Sequence, residues 1–127
     1  MRGAGYRWMG AMTDTDCLFC RIREDQVPAT IRHRDEHCFV IEDIRPQAPH
    51  HLLVIPNRHI ATLNDLTPDD RELVGHLHLV ASRLAHELGV HESGYRTVFN
   101  TQREAGQTVF HIHLHLLAGR PMSWPPG

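Results

Sequence analysis

Residues 111–117 read H-I-H-L-H-L-L, and this segment restricts the fold more than any other stretch of the chain. Imidazoles at positions 111, 113 and 115 alternate with apolar residues at 112, 114 and 116, which is the period of a strand. In a strand His111, His113 and His115 share one face while Ile112, Leu114 and Leu116 pack on the other. Same-face neighbours lie about 7 Å apart along a strand, so one phosphate or one metal ion can touch more than one ring.

The rest of the chain supplies partners for that strand. Residues 29–34 and 38–42 read as strands joined by a turn at Asp35 and Glu36, and residues 51–55 form a third apolar strand closed by Pro56. Residues 95–100 pair with 109–117 across a loop, and residues 44–49, with two prolines, form another loop. Thr67 followed by Pro68 marks a helix start, and Leu73, Leu77, Val80, Ala81, Leu84 and Leu88 recur at helical spacing as far as Gly89. Asp16 is placed to cap a short helix carrying Cys17, Leu18, Phe19, Cys20 and Ile22, which ends before Pro28. Strands joined by short turns around one long helix predict an α+β domain, an antiparallel sheet of about five strands covered on one face.

With 127 residues the chain holds one compact domain. Residues 1–13 are glycine-rich and non-periodic and are expected to be a disordered leader, leaving residues 14–127 as a single domain. Thirteen Lys and Arg stand against fifteen Asp and Glu without a basic run, which argues against a nucleic-acid partner and for a small one. No segment is long and apolar enough to span a membrane. Three cysteines without an export signal favour a reducing compartment, and cytoplasm is the expectation. There Cys17-x-x-Cys20 reads as a metal or redox pair.

Two chemistries suit three alternating imidazoles. They can hold a catalytic zinc, although such ligands usually converge from more than one strand. Alternatively one neutral imidazole attacks phosphorus while its neighbours donate to the phosphate oxygens. Gly106, Gln107 and Thr108 precede the strand and are placed to aim backbone N–H groups and a hydroxyl at an anion, which favours the second. Outside the triplet, His33, His37, His76, His78, His86 and His91 carry no motif and are expected on the solvated surface.

The H-I-H-L-H-L-L segment resembles the signature of the histidine triad (HIT) family. The similarity continues through L-F-C-R-I, D-I-R-P-Q-A-P-H-H-L-L-V-I-P, N-R-H-I and G-Q-T-V-F to G-R-P-M-S-W-P-P-G, an ending that resembles the Hint branch. It covers about residues 16–127. The resemblance implies a hydrolase cleaving at the α-phosphate of purine nucleoside 5′-phosphoramidates or related adenylates, with His113 as nucleophile and His115 as donor to the phosphate and the leaving group. His111 supports both, and Thr108 stands where the branch often has Ser. Asp43 matches the ribose-binding acid, Asn100 and Thr108 the phosphate side, and Leu18, Phe19, Ile22 and Ile44 the walls around the base. His51 and His59 match family His positions near the site, with His50 competing with His51 to face it.

The resemblance further implies a structural zinc held by Cys17, Cys20, His51 and His111, and a homodimer. A dinucleoside polyphosphate hydrolase of the same family is one alternative. A zinc- or nucleotide-binding interaction module with slow turnover is the other.

Overall fold

The computed structural model describes residues 16–127. The expected leader over residues 1–13 lies outside the described residues. In chain order the elements are α1 (Leu18–Arg23), β1 (Ile31–Arg34), β2 (Cys38–Glu42), β3 (His50–Pro56), α2 (Arg71–Glu87), β4 (Tyr95–Val98) and β5 (Leu114–Ala118). The five strands form one antiparallel sheet in the order β1-β2-β3-β5-β4. The architecture is the expected α+β sheet with one long and one short helix.

The sheet is covered on both faces over its central strands, where cover on one face was expected. On one side Cys38, Val40, Leu52, Val54, Leu114 and Leu116 pack against Leu77, Val80, Ala81 and Leu84 of α2. On the other, Phe39, Ile41, Leu53 and Ile55 meet Cys17, Phe19, Cys20 and Ile22 from the α1 segment. Two-sided cover explains why β2 and β3 are continuous apolar runs rather than alternating ones. Each large side chain fully buried there contributes about 1.5 to 3 kcal/mol, so the sheet is a firm platform.

Helix starts differ in detail from expectation. Thr67 and Pro68 open a single 3-10 turn, Pro68–Asp70, and α2 begins at Arg71. Cys17, not Asp16, caps α1, its sulfur accepting the Cys20 amide at 3.4 Å. Asp35 makes the β1–β2 turn by accepting the His37 and Cys38 amides on Oδ1 at 2.7 and 2.9 Å.

The strand expected over residues 109–117 begins only at Leu114. The Ile112 amide donates to the Ile60 carbonyl at 2.8 Å, which draws residues 109–113 off the ladder into the connection after β3. Alternation survives the bend: Ile112, Leu114 and Leu116 remain buried. After β5 the chain turns at Gly119, with φ +99° and an ideal Cβ position only 2.8 Å from the Pro49 Cβ, so only glycine fits.

Candidate active site

His111 stays on the α1 side of the sheet with His113, its ring edge-on to Phe19 with centroids 5.9 Å apart, but is turned to Cys17 and Cys20. It is fully buried, and its Nε2–H donates to the Pro56 carbonyl at 2.8 Å. That bond fixes the tautomer and turns the lone pair of Nδ1 toward Cys17 Sγ at 3.2 Å, Cys20 Sγ at 3.5 Å and His59 Nδ1 at 3.3 Å. Burial lowers the His111 pKa to about 4, which keeps the ring neutral.

His113 is half-buried on the same side of the sheet. Its Nδ1–H donates to the His111 carbonyl at 2.8 Å, which leaves Nε2 with a free lone pair. Phe19 stands edge-on to the ring, centroids 5.0 Å apart, and holds its plane. Burial pushes the His113 pKa down, so the imidazole is neutral.

His115 is oriented by a chain of donors that starts in the backbone. The Gln47 amide donates to His51 Nδ1 at 3.0 Å, so the His51 proton resides on Nε2. That N–H donates to His115 Nδ1 at 2.9 Å and lies 3.4 Å from the Asp43 carboxylate. His115 therefore carries its own proton on Nε2, facing away from His51. Burial, then the neighbouring His113 and His51, lowers the His115 pKa to about 4. The ring centroids of His113 and His115 lie 5.0 Å apart, so an acceptor nitrogen and a donor nitrogen are available side by side.

The sheet register explains this grouping. Leu53 pairs with His115 and His51 with Leu117, which places His51 diagonally beside His115 on the face away from α2. His51 is the buried member of the His50–His51 pair and faces the site. The three triplet imidazoles do not converge on a single point, because both nitrogens of His111 and Nδ1 of His113 are already engaged.

One expected metal ligand is corrected. The four-membered set is Cys17, Cys20, His59 and His111, with His59 where His51 was expected. His51 lies within β3 and is held by Gln47 and His115, whereas the turn after Pro56 brings His59 back to 3.5 Å from Cys20 Sγ. A tetrahedral zinc with sulfur at about 2.3 Å and nitrogen at about 2.0 to 2.1 Å sets its donors about 3.3 to 3.8 Å apart. The separations of 3.2 to 3.5 Å seen among these groups match that span. The Pro56 carbonyl supplies the outer bond that orients His111.

Other expected site residues divide. Asp43 lies at the site, with Oδ1 accepting the Arg45 amide at 2.8 Å. Ile44 is 89% exposed and Leu18 42%, apolar surfaces open to a flat apolar ligand, while Phe19 is buried with its ring edge-on to His113. Ile22 is packed in the core and presents nothing to a ligand. Thr108 is exposed, and Asn100 lines a groove with Arg96, Phe99 and Trp124.

Gly106 and Gln107 do not offer free amides. Their N–H groups donate to Arg103 and Gln102 carbonyls, and the Gln107 side chain braces the loop against Gln102, Ala61 and Val109. Of the six His expected on the surface, His37, His78, His86 and His91 are exposed, but His33 and His76 are half-buried around Asp35.

A family model described as "Scavenger mRNA decapping enzyme C-term binding" matches residues 16–124. The chain is 41% identical over 107 residues to the purine nucleoside phosphoramidase of Escherichia coli K12, covering 84% of this chain and 90% of that protein. It superimposes on a HIT family hydrolase from Legionella pneumophila with a TM-score of 0.86 and 53% identity, covering 87% and 99% of the two chains. The chain belongs to the histidine triad family. As a HIT protein it is a HIT-type hydrolase. A zinc-bound histidine triad protein from Mycobacterium smegmatis shares the fold, with a TM-score of 0.73 and 35% identity over 85% of this chain and 78% of that one.

Proposed function

We propose that this HIT protein hydrolyses purine nucleoside 5′-phosphoramidates or related adenylates at the α-phosphate through a nucleotidyl-His113 intermediate. The observation that carries the reading is the free Nε2 lone pair of His113 beside the Nε2–H of His115. His113 Nε2 attacks phosphorus as the P–N bond breaks, and the His115 N–H stabilises charge building on the phosphate oxygens. The departing amine takes a proton relayed by His115 or the Thr108 hydroxyl. Water then cleaves the P–N bond to His113, regenerates the imidazole and returns a proton to the site.

Around that centre, Asp43 is assigned to the ribose hydroxyls, Asn100 and Thr108 to the phosphate, and Leu18, Phe19 and Ile44 to the base. The 41% identical purine nucleoside phosphoramidase supports the substrate class. Cys17, Cys20, His59 and His111 are assigned a structural zinc, which when bound ties α1 to the segment before β5. The donor spacing supports that assignment.

The remaining assignments are a single domain over residues 14–127, a cytoplasmic setting and a homodimer. The free edge of β4 suits pairing with a second copy. The apolar stripe of α2 is committed to the core, and on its outer side only Leu79 is a strongly exposed large apolar residue. The decisive experiment is intact-protein mass spectrometry of His115→Ala after incubation with an adenosine phosphoramidate, paired with turnover by His113→Ala. An adenylyl adduct on the first variant and loss of turnover in the second are expected; activity of His113→Ala within tenfold of wild type overturns the assignment.

A further inference from the structure

A second cluster of ligand-type side chains lies on the opposite face of the sheet from the triad. Its centre is Asp35, in the β1–β2 turn. Oδ1 of Asp35 is occupied by the two turn amides, and Oδ2 is left facing His33 Nε2 at 2.7 Å, His76 Nε2 at 2.8 Å and Cys38 Sγ at 3.6 Å. The donor atoms of His33, Asp35 and Cys38 all lie within 4.8 Å of one another.

Backbone irregularity builds this arrangement. Ile31 pairs with Ile41, but His33 pairs with Val40, and the register shift between them marks a bulge in β1. Without it His33 would share the face of Ile31, which packs with the α1 cluster. The bulge turns His33 onto the face of Cys38 and Val40, under α2. There it meets His76 of α2, whose ring is edge-on to His37 at 5.2 Å. The Cys38 side chain is fully buried and closes the floor, while the side chains of His33, Asp35 and His76 are 20%, 25% and 31% exposed and leave one side open to solvent.

We propose that His33 Nε2, Asp35 Oδ2 and Cys38 Sγ form a second metal site, for a borderline-soft divalent cation such as Zn2+, with His76 or water in the fourth position. A thiolate, an imidazole and a carboxylate are a donor set that such cations select, and Mg2+ or Ca2+ does not. Two anionic ligands neutralise the cation. Binding releases the Cys38 thiol proton to solvent, and the His33 proton moves from Nε2 to Nδ1, so that the 2.7 Å hydrogen bond to Asp35 opens to the donor spacing of a bound cation and the Nε2 lone pair faces the metal.

Arg83 opposes the site and has an alternative place. Its guanidinium lies 3.2 Å from His33 Nδ1 and 3.4 Å from Nε2, so it must yield when the cation binds, and it is also 3.7 Å from Glu87. The bound cation clips the β1 edge of the sheet to α2. Because the triad is on the other face, occupancy stabilises the fold without entering the reaction.

The test is isothermal titration of Zn2+ into full-length protein, repeated with Co2+ to read the thiolate-to-cobalt charge-transfer band. The quantity followed is the increment that depends on His33 and Cys38, whatever the Cys17–Cys20 pair already holds. Wild type is expected to take one such equivalent, with a rise in Tm on adding Zn2+. His33→Gln weakens it by at least about tenfold and removes the Tm rise, Cys38→Ser removes the second increment of the cobalt band, and Arg83→Gln tightens binding. His33 is half-buried and outside the apolar core, so its variant tests the site even if Cys38→Ser, a core change, fails to fold. The proposal is overturned if wild type takes no equivalent beyond that of the Cys17–Cys20 site, or if His33→Gln binds as wild type does.

Discussion

Replacing His51 separates the orientation of His115 from the nucleophilicity of His113. In the structure the His51 N–H reaches His115 Nδ1 at 2.9 Å, and both rings are largely shielded from water. His51→Leu removes the donor and leaves Nδ1 of His115 free to take the proton itself, which withdraws the N–H from the phosphate side. A net hydrogen bond of this kind contributes about 1 to 1.5 kcal/mol. If it acts only in the transition state, its loss lowers kcat/KM about tenfold, since about 1.4 kcal/mol is a factor of ten. The Gln amide nitrogen lies near the position of imidazole Nε2, so His51→Gln restores the donor to His115 but not the acceptor for Gln47. The expected order of kcat/KM with an adenosine phosphoramidate is wild type, then His51→Gln, then His51→Leu about tenfold below wild type. The adduct on His113 should still form in His51→Leu. The reasoning fails if Leu and Gln are equally impaired, or if His51→Leu is as inactive as His113→Ala.

Three further outcomes follow from the same geometry. Stripping metal with a strong chelator from His33→Gln, which keeps only the Cys17, Cys20, His59 and His111 site, should lower Tm by about 10 °C, because a ligand at a hundredfold its Kd stabilises by about 2.7 kcal/mol and 1 kcal/mol shifts a domain of this size by about 4 °C; differential scanning calorimetry before and after zinc is restored checks it, and an unchanged Tm refutes that four-membered site. Gly119→Ala should cost about 1 to 3 kcal/mol in urea unfolding, from positive φ and the clash with Pro49, and a neutral effect would show that the β5 exit is not constrained. Asp70 is held below the usual carboxylate range by the Arg58 guanidinium and then by the Thr67 amide. A lowered folded-state pKa stabilises above the unfolded value, about 4, and is lost as pH falls through the folded one. The advantage of wild type over Asp70→Asn should therefore be full at neutral pH and vanish on acidification below about pH 4.

What the sequence determined by itself was set by period and punctuation. Alternation over residues 111–117, the helical spacing from Leu73 to Leu88 and the Thr67–Pro68 start fixed an α+β sheet with one long helix, because these signals reside in neighbouring residues. The family motif marked the triad, and the structure groups His113, His115, His51 and Asp43 through direct contacts. Tertiary structure decided the pairings that depend on where distant backbone lies. His59 rather than His51 meets Cys17 and Cys20, because the turn after Pro56 swings it there and the Pro56 carbonyl aims His111 at it. Gly106 and Gln107 lost their expected role because their amides close a turn. His33 and His76, isolated in the sequence, converge on Asp35 because a single bulge in β1 moves one side chain to the other face of the sheet, and a bulge leaves no signal in residue identity when each flanking position reads as an ordinary strand.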